Sequence, residues 1–242
     1  MIFITIIDEI FSINFQITSM QTFLKFALYL HIFVGFTALI TGLVPMFSKK
    51  GSKTHITWGN VYYWAMFMVT VTALIRFQMK LNLIFLSGIA VFSFYNTFTG
   101  VRLIRRKNNS KPEFVDWFGA VLMVISSLGM VYFSYLAYRI ENNFYAILFA
   151  IFGLFMLVLA LEDLRVFMGI KQIDNDVPLQ TRYWFQNHIS RMGGSYIATV
   201  TAFLVVNNPP QIPGLVVWLA PGVIGGIIIG RTQRFYRDKF GK

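Results

Sequence analysis

The sequence predicts an all-α, polytopic membrane helix bundle of about seven transmembrane helices, with the N-terminus outside and the C-terminus inside. Three observations predict it. First, 56% of the 242 residues are hydrophobic and only 13% are charged. A soluble domain carries about a quarter charged residues, so this chain lacks the polar surface to cover a water-soluble globule. Second, the apolar residues gather into seven stretches, each near the ~20 residues that cross ~30 Å of hydrocarbon as a helix. Third, 17 of the 21 basic residues fall in alternate connections, at their flanks or in the C-terminal tail. The positive-inside rule places those on the cytoplasmic face.

The stretches follow in order. Residues 1–21 carry Asp8 and Glu9 within an otherwise apolar run and no basic residue before it, which does not suit a signal peptide. They read as an outer interfacial segment, or as an over-extended start with Met20 the first residue. The bundle occupies residues 22–230. Its spans are Thr22 to Phe47, Ile56 to Phe77, Leu81 to Ile104, Phe114 to Tyr138, Phe144 to Phe167, Trp184 to Val206 and Pro213 to Gly230. Backbone amides have no water partner in hydrocarbon, so each span must be helical. The seventh is the weakest because it holds Pro221 and several glycines. The five cations after it, Arg231, Arg234, Arg237, Lys239 and Lys242, would sit outside if it did not cross. Residues 231–242 therefore read as a basic cytoplasmic tail.

The connections SKKGSKT and RRKNNSKPE are turn-rich and basic, whereas VNNPPQIP carries no charge. Met168 to Tyr183 is the longest connection; Asp174, Asp176 and Pro178 mark it as a mobile-loop candidate. Absence of cysteine excludes disulfides, thiolate metal sites and cysteine nucleophiles. The net charge of +11 is spread over separate inner loops rather than gathered on one face. It speaks for orientation and attraction to anionic lipid, and against nucleic-acid binding.

With so few polar groups, those inside the spans carry the functional expectation, because an ionisable group in a membrane helix is costly. They are His31, His55, Glu162, Asp163, His188 and Arg191. His31 to Gly35 and His55 to Gly59 repeat one pattern, a histidine with a glycine one turn on. Depth separates them. His31 is about nine residues from the outer end of the first span, and His55 opens the second at the inner face, roughly 20 Å away. His188, Glu162, Asp163 and Arg191 fall near the depth of His55.

Two imidazoles at one depth offer axial ligands for haem b. With Asp163 they offer three ligands for a divalent metal such as zinc, with a position left for water. Carboxylate, histidine and arginine together offer a proton relay. The plain alternative is an internal salt bridge, Asp163 with Arg191 or Glu162 with Arg165. Trp58, Tyr62, Tyr63, Trp117, Tyr183 and Trp184 flank the cluster and suit the interfacial aromatic belt. Gly119, Gly129, Gly153, Gly193, Gly194 and Ser195 suit close helix contacts.

The runs HIFVGFTALITGL and KKGSKTHITWGNVYYWAM, with LEDLRVF and WFQNHISRMGGSYIATVTAFLVVN later, resemble a bacterial multi-pass membrane family without assigned activity, the domain-of-unknown-function family twenty-three-oh-six or a near relative. The resemblance covers about half the chain and implies a bacterial plasma (inner) membrane location. It departs at Ile56, where that pattern commonly has arginine. A looser likeness links the histidine–glycine helices to cytochrome b561-type haem bundles. Those use two histidines per haem, so three histidines allow one such centre. The leading expectation is a redox module with His55 and His188 as haem or metal ligands, Asp163 as the alternative third metal ligand, Arg191 and Glu162 behind them, and His31 lining a second position. The alternatives are a small-molecule or proton-coupled transporter, a zinc-dependent membrane hydrolase, and a scaffold held by buried polar pairs.

Overall fold

The computed structural model describes residues 2–107, 111–171, 177–179, 182–209 and 211–240, with side chains between Ser19 and Lys239. Seven helices run in order: α1 Ile2–Phe47, α2 Lys53–Ile75, α3 Leu81–Arg105, α4 Phe114–Arg139, α5 Asn143–Phe167, α6 Tyr183–Val206 and α7 Gly214–Phe240. No strand occurs among the described residues. Six helices, all but α2, are long and apolar enough to cross a membrane, which makes the chain an integral, multi-pass membrane protein in architecture. Two ends run past the apolar stretches. Residues 2–21 continue α1 without a break, and the basic residues from Arg231 to Lys239 continue α7. Asp174 and Asp176, the loop candidates, lie outside the described residues.

α2 has the length of a span but a weaker apolar character, and its packing explains why. His55 at its start bonds the Pro45 carbonyl at the end of α1. Thr72 near its end meets His31, and Arg76 Nη1 donates to the Leu24 carbonyl at 3.0 Å. The contacts step in opposite directions along the two helices, so α2 runs back beside α1 over the same depth. His55 and Thr72 are spent on those contacts, while Thr70 donates to the Ala90 carbonyl of α3 and Tyr62 contacts Ser195 of α6.

Local chemistry ends the helices. Ser52 caps α2 by accepting from the His55 amide at 3.2 Å, and Asn142 caps α5 by accepting from Tyr145 at the same distance. After α5, Gly169 takes φ +72°. Its amide donates to Val166 and the next amide, of Ile170, to Arg165, closing the last carbonyls in the 5→2 and 6→1 pattern that glycine favours. The end of α4 repeats this pattern with Glu141 at φ 60°, where a side chain is strained.

α1–α2, α4–α5 and α6–α7 form antiparallel pairs, and α3 packs against α2, α4, α5 and α6. The larger core lies around Phe85, whose ring meets Phe149, Phe152 and Trp218 edge-on at 5.1, 5.4 and 4.8 Å. A smaller core joins Ala38, Tyr62, Ala65 and Met66. The outward faces are apolar, as at Val223, Ile224, Ile227 and Ile228 on α7, which suits lipid as the surrounding solvent. Gln233 Nε2 donates to the Gln186 carbonyl and to Ser190 Oγ at 2.8 and 2.9 Å, tying the end of α7 to the start of α6. The seventh segment therefore returns to the level where α6 begins, the level occupied by His55 and His188.

Candidate functional site

His55 and His188 come together from α2 and α6. Their ring centres are 6.3 Å apart and their planes are tilted by 60°. Each ring is anchored by the same device. His55 Nδ1 lies 3.0 Å from the Pro45 carbonyl oxygen, and His188 Nδ1 lies 2.8 Å from that of Gly100. A carbonyl oxygen only accepts, so each Nδ1 carries the proton and donates. In the neutral ring the lone pair then sits on Nε2. Neither Nε2 takes a hydrogen bond from a described residue. A histidine fixed through Nδ1–H on a backbone carbonyl, with Nε2 left open, is the usual preparation of a metal ligand.

The anchors exist for local reasons. Pro45 lies two residues before the end of α1, where carbonyls have no amide within the helix to accept from. His55 takes one of them. Lys50 Nζ donates to Pro45 and to Met46, both at 2.8 Å. Burial pushes the Lys50 ammonium below the usual lysine range, and its charge bears on both imidazoles. Gly100 lets α3 and α6 approach closely. A Cβ there would stand 2.9 Å from Met192 Sδ and 3.3 Å from Arg191 Cβ, so a side chain would push α6 away and stretch the His188 anchor.

The charged pair expected from the sequence forms one turn deeper. Arg191 Nη2 donates to Asp163 Oδ1 at 2.8 Å, and Tyr95 Oη donates to Asp163 Oδ2 at 2.6 Å. Arg191 is 3% and Asp163 6% exposed. Both carboxylate oxygens are engaged. Among the described residues no three His, Asp or Glu side chains gather in a metal-holding group. The alternative that made Asp163 a third metal ligand is thus not supported: Asp163 serves Arg191 and Tyr95. Glu162 stands one residue away but faces outward, pairing with Lys171 at 2.5 Å. Arg165 is not its partner, and Glu162 does not back the histidines.

His31 lies elsewhere. Its Nδ1 is 2.9 Å from Thr72 Oγ1, whose hydroxyl proton is given to backbone oxygens of its own helix. Fourteen residues of α1 separate His31 from Pro45, about 21 Å at helical rise. The depth difference expected between His31 and His55 is therefore present, and His31 shares no ligand with the pair.

Several buried groups escaped sequence reading. Tyr62 Oη, Ser195 Oγ and Thr97 Oγ1 join α2, α6 and α3 through contacts of 2.8 and 2.6 Å. Arg102 counted as one of the inner-loop cations. Instead it is buried inside α3 and grips Asp116 with Nε and Nη2, both at 2.7 Å, while Glu113 adds an ion pair at 3.2 Å. The signal was available in part: Asp116 and Arg102 flank one short loop, each near the end of a span. Trp184 and Tyr62, read as belt aromatics, have their polar atoms buried within the bundle. Comparison of the chain with protein-family models, with characterised proteins and with solved structures gives no match.

Proposed function

We propose that this protein is a redox module of a bacterial plasma membrane, N-out and C-in, in which His55 and His188 ligate one metal-containing group, haem or a metal ion, near the inner face. The observation that carries the reading is the pair of anchored imidazoles. A metal–nitrogen bond of about 2.0–2.1 Å, with about 1.1 Å from nitrogen to ring centre, puts two imidazoles on one ion at a centre separation of roughly 5–6.4 Å, depending on the angle. The 6.3 Å observed falls within that span, towards its linear end. Two backbone-anchored rings also supply the neutral, preoriented ligands that metal binding requires.

When bound, the group would supply one-electron chemistry. The protein would hold it, fix both ring orientations through the Pro45 and Gly100 carbonyls, and exclude water through the surrounding apolar helices. A hydrolytic zinc site wants three protein ligands, and the described residues offer two at this place. The family resemblance noted from the sequence fits the same membrane setting.

Purified protein in detergent tests the reading. Absorption spectra and metal analysis are taken as isolated, then during titration with haem b, Cu²⁺ and Zn²⁺. One equivalent of haem b or Cu²⁺ binds, and His55→Ala and His188→Ala each lose it, whereas His31→Ala retains it; Zn²⁺ has no redox chemistry, so a site that takes Zn²⁺ alone overturns the redox reading. Failure of every titrant to bind, or binding that survives both substitutions, overturns the proposal.

A further inference from the structure

We infer that, on the two-imidazole reading, the group held by His55 and His188 is a single copper ion kept as Cu⁺, two-coordinate and nearly linear between their Nε2 atoms. The ring separation points to the angle. An ion-to-centre arm of about 3.1–3.2 Å puts two imidazole centres roughly 5.1–5.2 Å apart at the tetrahedral angle and roughly 6.2–6.4 Å apart in line. The observed 6.3 Å is the in-line value. Tetrahedral Zn²⁺ would draw the rings about 1 Å closer.

Donor count and charge choose the oxidation state. Among the described residues no third His, Asp or Glu side chain joins the pair. Cu²⁺ favours a tetragonal set of nitrogen and oxygen donors and would have to complete it with water. Cu⁺ has a filled d shell and a single charge, so two opposed neutral nitrogens satisfy it. The Lys50 ammonium, held on the Pro45 and Met46 carbonyls, bears on both imidazoles. Repulsion from a fixed charge scales with the charge of the ion, so the monovalent ion is repelled half as strongly.

Packing sets the size of the site. Seven residues beyond each histidine, about 10.5 Å along the helices, Tyr62 Oη meets Ser195 Oγ at 2.8 Å. The two contacts step the same way along α2 and α6, which therefore run side by side in one direction. Met192, one turn beyond His188, fills the step between. It packs against the core of Ala38, Tyr62, Ala65 and Met66, and its Sδ stands 2.9 Å from where a Cβ on Gly100 would be. The space beside the pair is that of an ion, and the side chain closing it carries a soft thioether, the kind of sulfur that suits Cu⁺.

Full-length protein in detergent is titrated without oxygen with Cu⁺, kept reduced by ascorbate and metered by competition with a coloured Cu⁺ chelator. Cu²⁺, Ag⁺ and haem b are titrated separately. One equivalent of Cu⁺ binds at least about tenfold tighter than Cu²⁺, a preference that raises the potential of the couple by about 59 mV over the free ion. Ag⁺, which shares the charge, filled shell and linear preference of Cu⁺, competes for the same site. The copper X-ray absorption spectrum shows two nitrogen neighbours. His55→Ala and His188→Ala each abolish binding; the wild-type affinities and spectrum decide the case if either variant fails to fold. Cu²⁺ held as tightly as Cu⁺, or bound Cu⁺ with three or more neighbours, overturns the inference. Haem b taken up in place of copper through the same histidines overturns it too, yet leaves the two-imidazole reading standing. Binding of none of the four overturns both.

Discussion

Removing the Asp163 carboxylate tests whether the deep pair between α5 and α6 carries the bundle. In Asp163→Leu, Arg191 keeps its charge at 3% exposure and loses its one anionic partner, while Tyr95 Oη loses its acceptor. A hydrogen bond to a charged group contributes about 1.5–3 kcal/mol. Two are lost, which agrees with the roughly 3–5 kcal/mol found when one member of a buried pair is removed. For a chain of this size each kcal/mol moves the midpoint by about 2–4 °C, so a fall of roughly 6–20 °C is expected in thermal unfolding in detergent. The pair itself need not be net stabilising, because desolvation opposes its attraction. The triple variant Asp163→Leu, Arg191→Met, Tyr95→Phe therefore regains most of the loss. A single variant as stable as wild type, or a triple variant no better than the single, refutes the reasoning.

Other outcomes follow from particular contacts. Gly100→Val drives a side chain into Met192 and Arg191 and costs about 1–3 kcal/mol by overpacking; thermal unfolding reads the cost, and titration reads weaker ligand binding as the His188 anchor lengthens. Glu141 holds φ 60° at the end of α4, so Glu141→Gly raises stability by about 1 kcal/mol, seen as a higher unfolding midpoint. The chain has no cysteine, so Lys107→Cys and Gln211→Cys place single thiols in the α3–α4 and α6–α7 connections. In the N-out, C-in orientation an impermeant maleimide added to intact cells labels the second and spares the first; the reverse pattern inverts the topology.

How much of this was legible in the sequence depends on which coordinate a feature needs. Depth is legible, because helical rise converts residue number into height. The spans, the level shared by His55, His188, Asp163 and Arg191, and the separation of His31 all follow from it. Rotation about each helix axis is much less so. Asp163 and Glu162 are neighbours at one depth, yet one faces the bundle and the other the surface, and only packing distinguishes them. Asp163 was therefore offered to the histidines when its face belongs to Arg191 and Tyr95. Arg102 was misplaced for a related reason: at a span's inner end a cation reads equally as a loop charge or as a buried partner of Asp116. The buried hydroxyls of α3, Tyr95 toward α5 and Thr97 toward α6, do not stand out in the sequence because hydroxyl groups do not interrupt an apolar run strongly enough.

The stripe on α6 separates structural from functional use of polar groups. Its members Trp184, His188, Arg191 and Ser195 share one face, yet they are not equally satisfied. Ser195, the deepest, is enclosed by Tyr62 and Thr97, and helix packing accounts for it fully. Toward the start of α6 the stripe opens: among the described residues no hydrogen bond is made to His188 Nε2, Arg191 Nη1 or Trp184 Nε1. A histidine retained only for packing should matter to the ligand-free fold as much as to anything else. One neutral hydrogen bond to a carbonyl contributes about 0.5–1.5 kcal/mol, so in the ligand-free protein His188→Leu and His55→Leu should each shift stability by no more than roughly that amount. Bound ligand stabilises wild type by about 2.7 kcal/mol at a hundredfold excess over Kd, and that gain should vanish in either variant. If the ligand-free leucine variants instead lose more than about 3 kcal/mol, the imidazoles serve the fold, and the open valences on α6 need another explanation.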